Sequence, residues 1–290
     1  MERLRLRAFA KINYALEVCG LREDGYHDIS TVMQSVSLAD EVELERADRG
    51  LDLIVEPTGA KIGPPEDNTV YRAWKMLRTL SGRELPVKVR LHKKIPAGAG
   101  LGGGSADAAA FLLGMNELHD LGFDLASLRE IGDHIGADVP FCLSGGTALA
   151  GGTGDVLTSL PSPPSHHLVL IKPSVSADTG KVYRAYDALH AENILSTGPV
   201  VDALRSVDLS TLARAVGNSL SLATRRLLPE IEEYEQALLR AGALGAMMSG
   251  SGSAVYGIFT SKSEAEKARS TMQAPFVEVC EPVDRGVETL

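Results

Sequence analysis

Residues 96–110 read PAGAGLGGGSADAAA, from Pro96 to Ala110, with five glycines leading into a row of small helix formers. Glycine has no side chain to pack and loses the most chain entropy on ordering, so some demand other than stability accounts for it here. Upstream, Val87 to His92 alternates as a strand does; downstream, Ser105 to His119 reads as a helix. Gly98, Gly100 and Gly103 formally satisfy the GxGxxG spacing of dinucleotide-binding units. Such a unit continues into a second parallel strand ending in an acidic residue about 20 residues on, and here a second helix, Leu125 to Ile135, occupies that place. The GxxxxGK[ST] pattern fails as well, because its lysine is missing and Ser105 follows Gly104 directly. The mechanism that both patterns exploit survives. Backbone N–H groups turned into one concavity, backed by a helix N-terminus, make a seat for a polyphosphate, and Lys93 and Lys94 stand just upstream. The competing reading is a bare strand-to-helix crossover, which needs only one or two glycines.

The chain around this loop has 290 residues, 44% of them apolar, enough for one large or two medium domains with real cores. Its three cysteines, Cys19, Cys142 and Cys280, are odd in number and far apart, which argues against a disulfide framework and a Cys-rich metal site and points to the reduced cytoplasm. The basic start lacks an uninterrupted apolar stretch and a small-residue cleavage site, and nowhere do about 18 apolar residues follow one another, so a soluble, unexported chain is expected. A formal charge of −9 opposes nucleic acid and anionic membranes as partners. Small anions met by a local positive field remain.

Strand patterns occur at Arg3 to Phe9, Asp40 to Arg46 and Leu51 to Val55, and a helix at Thr69 to Leu80 with Asn68 as its cap. The prolines of LPSPPSHH, Leu160 to His167, break the chain, which divides it into 1–160 and 161–290. Beyond the break, His167 to Ile171, Ala254 to Phe259 and Phe276 to Cys280 read as strands. Gly180 to His190, Thr211 to Val216, Pro229 to Ala241 and Ser263 to Met272 read as helices.

Three further clusters carry polar groups in apolar settings. MMSGSGSAVYG, Met247 to Gly257, alternates glycine with Ser249, Ser251 and Ser253; alone it is a hairpin, and paired with the first loop it suggests a cleft between domains. Near the start, Lys11 and Asn13 share one face by strand alternation. In IGADVPFCL, Asp138 sits before a proline, either as a turn residue or as a working carboxylate.

Together these clusters resemble the kinases named after galactose, homoserine, mevalonate and phosphomevalonate. AKIN, PAGAGLGGGSADAA and SGSGSAVYG look like that superfamily's three motifs; with REDGYH, EDN and GADVPFCLSGG they resemble its branch acting in the non-mevalonate route to isoprenoid precursors. The resemblance spans the chain. It implies an ATP-dependent transferase that phosphorylates the 2-hydroxyl of a cytidine diphosphate-linked methylerythritol, with Asp138 taking the hydroxyl proton while Lys11 keeps the carboxylate ionised and offsets phosphoryl charge. Phosphoryl transfer asks a protein mainly for positioning and charge neutralisation, which suits this pair.

For the acceptor the resemblance implies Asn13 at the methylerythritol, Tyr26 stacked on the cytosine, His27 at its edge, Tyr183 as the opposing aromatic, Thr179 near phosphate, and Ser249 and Gly250 from the second glycine loop. Stacking on both faces of a pyrimidine is worth about 1–3 kcal/mol per base, and partly buried tyrosines are the plain alternative. For ATP it implies the backbone of Pro96, Ala97, Gly98, Ala99, Gly100, Leu101, Gly102, Gly103 and Gly104, with Asn68 and Lys94 near the nucleoside and Ser105 and Asp107 near the phosphates. Mg²⁺ would accompany the nucleotide, with its protein ligands unassigned because that ion takes few. Ala99 departs from a glycine common in this loop.

The fold implied is α+β with two domains, the first like the second domain of ribosomal protein S5 and the second ferredoxin-like, the active site lying in the cleft between them. A monomer or weak homodimer is expected. The alternatives are another superfamily kinase, for mevalonate or homoserine, a diphosphomevalonate decarboxylase, or a nucleotide-binding regulator without catalysis. The REDGYH segment argues against the first, and the Lys11 and Asp138 pair against the last.

Overall fold

The computed structural model describes residues 2–57, 65–154, 156–189 and 195–290. The alternation that begins at Arg3 does not stop at Phe9. It runs on as β1 (Arg3–Leu21), which pairs antiparallel with β2 (His27–Arg46) across a turn at 22–26. Along their outer face Arg3, Arg5 and Arg7 stand opposite Glu45, Glu43 and Glu41, and the alternate residues Leu4, Leu6, Val42 and Leu44 are buried. From Ala8 to Leu16 every residue of β1 is buried, so the strand is covered on both faces there and loses its period of two.

β3 (Leu51–Glu56) lies parallel to β4 (Val87–His92), with α1 (Thr69–Ser81) between them in the chain. Asn68 caps α1 by accepting from Val70 N at 2.8 Å. The glycine loop then enters α2 (Gly103–Leu118), whose run from Ala106 to Leu112 is wholly buried against β1 and β2. Next come α3 (Leu125–Asp133) and the short α4 (Val139–Ser144), followed by the hairpin of β5 (Thr147–Gly151) and β6 (Val156–Ser159), which joins the sheet through β2.

After the prolines, β7 (His167–Lys172) opens a second sheet. Then follow α5 (Thr179–Leu189), α6 (Gly198–Ser206), α7 (Leu209–Ala215), the two-residue β8 (Gly217–Asn218) and α8 (Ser221–Leu227). The predicted end of α5 at His190 lies outside the described residues. The chain closes with α9 (Glu230–Arg240), β9 (Gly245–Met248), β10 (Val255–Phe259), α10 (Lys262–Arg269), β11 (Phe276–Cys280) and β12 (Val287–Thr289).

The second sheet is antiparallel in the order β11-β7-β10-β9, with α9 and α10 packed on it. This is the βαββαβ order of a ferredoxin-like unit, as expected. The first sheet runs β12-β1-β2-β4-β3, with β5 and β8 attached to β2 and β1. Two hydrophobic cores result, and β1 feeds both: Leu4, Leu6, Ala8, Ala10, Ile12, Tyr14 and Ala15 belong to the larger, Leu16 and Val18 to the smaller. Lys11 and Asn13 therefore sit where the two halves of the molecule meet.

Candidate active site

The glycine loop is fastened at its root. Asp40, fully buried at the far end of β2, accepts from the backbone N–H groups of Lys94 (2.5 Å) and Ile95 (2.8 Å) and from the Lys93 ammonium. Lys93 also reaches Asp107 Oδ2 on α2 at 2.5 Å. Burial pushes the Asp107 carboxyl up to about 7; Lys93 opposes that shift and Asp40 adds to it. Burial also pulls Lys93 down, but Asp107 and Asp40 outweigh it and hold the ammonium above its ordinary range.

Within the loop Gly100 and Gly102 have φ of +73° and +70°, a region that side chains rarely enter. Space gives a second reason at Gly100, where a Cβ would stand 2.2 Å from Ser249 O of the second glycine loop. Gly102 is also the N-cap of α2, and no side chain caps that end. Thr69 Oγ1 ties α1 to the loop by donating to Gly104 O at 2.6 Å. A cavity of about 390 Å³ opens above, lined by Asn68, Thr69, Lys93, Pro96 to Ser105 and Asp107.

A second cavity, about 310 Å³, adjoins it, and Gly98, Gly100 and Ser105 line both. On its floor the Lys11 ammonium stands 3.3 Å from Asp138 Oδ2 and 3.0 Å from Asn13 Oδ1. Asn13 is held from several sides: its Nδ2 donates to Thr31 Oγ1 (2.8 Å), and its carbonyl accepts from Tyr256 OH (3.0 Å). Ser249 Oγ bridges Gly100 O at 3.0 Å and Asn13 Oδ1 at 3.4 Å. Lys11 N donates to Leu101 O at 3.0 Å, which fixes the loop against β1. Lys11 is buried, whereas the Asp138 side chain keeps 35% of its surface open. An acceptor hydroxyl in this cavity can therefore reach the carboxylate.

Most sequence-predicted residues gather on these two cavities; Ser249 is buried just behind their shared wall, and Tyr26, His27 and Lys94 are placed otherwise. Tyr26 is 69% exposed on the 22–26 turn and lines neither cavity. His27, the first residue of β2, turns inward and stacks on Tyr183 at 4.9 Å between ring centroids, so the ring against Tyr183 is the histidine. Its Nε2 meets Asp187 Oδ1 at 2.8 Å. Burial and the nearby Asp138 charge push the Tyr183 phenol up to about 12. Lys94, expected near the nucleoside, points its ammonium to Glu41 Oε1 at 3.0 Å and lines a separate groove. Lys93 is the lysine beneath the loop. Asp107 sits buried under α2 facing Lys93.

Thr179 and Ser251 share a hydroxyl contact of 2.8 Å at the mouth of the second cavity. Gly250 O and Met248 O accept from Asn218 Nδ2 at 2.7 and 3.1 Å, which steadies the second glycine loop. Sequence reading missed Asn218 and Asp40, and it set Lys93 beside the loop but gave the nucleotide contact to Lys94. For Lys93 the signal was present: Val87, Val89 and Leu91 are the buried residues of β4, and 93 continues their parity.

Two family models match the chain, GHMP kinases N terminal domain over residues 68–146 and GHMP kinases C terminal over residues 200–278. A 4-diphosphocytidyl-2-C-methyl-D-erythritol kinase of Thermoanaerobacter sp. (strain X514) is 40% identical over 290 residues, covering 99% of each chain. The chain belongs to this family of kinases. A relative of the same name from Pelotomaculum thermopropionicum is 44% identical over 87% of each chain. A crystal structure of 4-(cytidine 5'-diphospho)-2C-methyl-D-erythritol kinase superposes with a TM-score of 0.81 at 33% identity, covering 96% of this chain and 98% of that one. A homoserine kinase from Cytophaga hutchinsonii, at 23% identity and a TM-score of 0.78 over 100% of this chain and 98% of that one, shares the fold. The two cavities thus belong to an ATP-dependent small-molecule kinase. Among the described residues no helix is long and apolar enough to cross a membrane.

Proposed function

We propose that this kinase transfers the γ-phosphoryl group of ATP to the 2-hydroxyl of 4-diphosphocytidyl-2-C-methyl-D-erythritol, giving the 2-phosphate and ADP. One observation carries the assignment of roles: the Lys11–Asp138 pair, 3.3 Å apart, lies on the floor of one cavity whose wall of Gly98, Gly100 and Ser105 is also the wall of the loop cavity. ATP occupies the loop cavity with its phosphates over Gly98 to Ser105, and the acceptor occupies the other, its cytidine end toward His27 and Tyr183. Asp138 takes the hydroxyl proton as the oxygen attacks phosphorus. Lys11, oriented by Asn13, offsets charge on the transferring group.

Mg²⁺ fits this arrangement as a nucleotide-borne ion. Among the described residues no cluster of three or more metal-binding side chains exists, yet Asp107 Oδ1 is buried without a donor on the loop cavity and Ser105 lines the same space. A hard cation that takes one or two protein oxygens and otherwise phosphate and water needs no more, and it would supply charge neutralisation on the phosphates. The kinase works on these small molecules in the cytoplasm, as a monomer or weak homodimer. Its functional division falls near residue 160.

The test is ADP release with diphosphocytidyl methylerythritol, mevalonate and homoserine offered separately. Turnover with the first alone is expected. Preferred turnover of either other alcohol would overturn the substrate assignment.

A further inference from the structure

The last ten residues leave the smaller sheet and return to the larger one. Ser37 N donates to Glu281 O (2.8 Å), Val283 N to Ser35 O (2.9 Å), and Gln34 Nε2 to Val283 O (2.9 Å). β12 then pairs with Leu6 to Ala8 of β1. Between these anchorages Gly286 touches both strands of chain that carry the reacting pair. Its carbonyl accepts from Phe9 N at 2.9 Å, two residues before Lys11. Its Cα faces α4: a Cβ at Gly286 would stand 1.8 Å from Cys142 O and 2.6 Å from Cys142 C. Cys142 N in turn donates to Asp138 O at 3.0 Å, so a push on Cys142 passes straight to the backbone of Asp138. From the other side, a Cβ at Gly145 would stand 1.9 Å from Gly286 N. The contact is backbone against backbone, and no flexible side chain is there to yield.

We propose that Glu281–Leu290 is a positioning strap for the Lys11–Asp138 pair, with Gly286 as its contact point. The inference rests on the assignment of that pair as the reacting groups. Gly286 lines neither cavity, so it acts on the rate through Asp138 and Phe9 rather than through bound substrate. Ordinary contact requires a separation of roughly 3.4 Å, so a methyl group at Gly286 displaces α4 by more than about 1 Å, and misplacement of that size costs a reaction on the order of 10².

The test compares Gly286→Ala with a chain ending at Gly286, which removes β12 and loosens the strap without inserting an atom. No residue after Gly286 is fully buried, and the shortened chain loses from the larger core only the partly buried Val287. In Gly286→Ala, kcat is expected to fall about 10- to 100-fold with both KM values within about twofold of the parent. The shortened chain should lose about 3- to 10-fold in kcat with the same KM pattern, and it decides alone if the alanine variant does not fold. Combining Gly286→Ala, or the truncation, with Asp138→Asn should lower kcat by clearly less than the product of the separate losses, because both act on the Lys11–Asp138 pair. Parental kcat in a folded variant, or losses that multiply, would overturn the strap. If Asp138→Asn itself retained parental kcat, the reading of the active site would fail instead.

Discussion

Alanine at Gly102 tests the loop at the point where it touches the catalytic lysine. Its φ of +70° costs a side chain about 1–2 kcal/mol. The new Cβ would lie 2.9 Å from Lys11 Cγ and 3.3 Å from Cε. The lysine stem can yield, and restoring ordinary contact asks it to withdraw by roughly half an ångström, about half the displacement that costs 10² in rate. The ammonium starts 3.3 Å from Asp138 and 3.0 Å from Asn13, so it has little slack. The expected outcome is a melting temperature lower by roughly 2–8 °C and a kcat lower by about tenfold. Calorimetric affinity for a non-hydrolysable ATP analogue should change by less than about threefold. Gly104→Ala is the internal comparison. There φ is not positive and the nearest atom to a Cβ is Thr69 Oγ1 at 3.6 Å, so stability should rise by up to about 1 kcal/mol. A Gly102→Ala enzyme with parental kcat would refute the coupling between loop and lysine.

Asp138→Asn keeps shape but removes the proton acceptor, so kcat should drop by about 10²–10⁴ while ATP-analogue binding persists, as steady-state kinetics and calorimetry would show. Tyr183→Ala should raise KM for the cytidine substrate more than Tyr26→Ala does, since Tyr183 packs on His27 and Tyr26 stands in solvent; equal effects would return Tyr26 to the site. Asp107 sets a pH dependence: its folded pKa, about 7, lies above the ordinary carboxylate value, so between about pH 4 and 7 the folded form holds a proton that the unfolded form has released. That contribution favours folding at low pH and fades as pH rises toward 7. In scanning calorimetry at pH 5.5 and 8, Asp107→Asn should shrink the Tm difference, and an unchanged difference would show that Asp107 does not titrate there.

The loop, the cap at Asn68 and β4 were legible because each rests on local chemistry: glycine for positive φ, an amide for a free N–H, alternation for a half-buried strand. β1 was cut short at Phe9 because Ala8 to Leu16 is buried on both faces, and a continuous apolar run carries no period. The first half of β2 hid behind Thr31 and Gln34, polar side chains that are buried because adjoining segments satisfy them: Thr31 donates to Ala15 O, and Gln34 accepts from Thr147 and donates to Val283 O. Lys11 and Asp138 could be singled out by setting but not joined by sequence mechanics, since 127 positions separate them and only tertiary packing closes the gap. Tyr26 and His27 are adjacent in the chain, yet the turn sends one outward and the next inward. That choice is made by the strand that follows, not by the turn residues themselves.

The pairing of Val287 to Thr289 with Leu6 to Ala8 has a consequence for synthesis. Ribosomes add about 5–20 residues per second, so roughly a quarter of a minute to a minute passes between the emergence of β1 and that of its last partner. Throughout that interval the outer edge of β1 offers free N–H and C=O groups beside an apolar face, the kind of edge that recruits other chains. The nascent enzyme therefore stays exposed to aggregation at this edge until Val287 to Thr289 emerge. Shortening the delay, by a circular permutation that supplies residues 281–290 ahead of Arg3, would let the larger sheet close while the ferredoxin-like half is still being made.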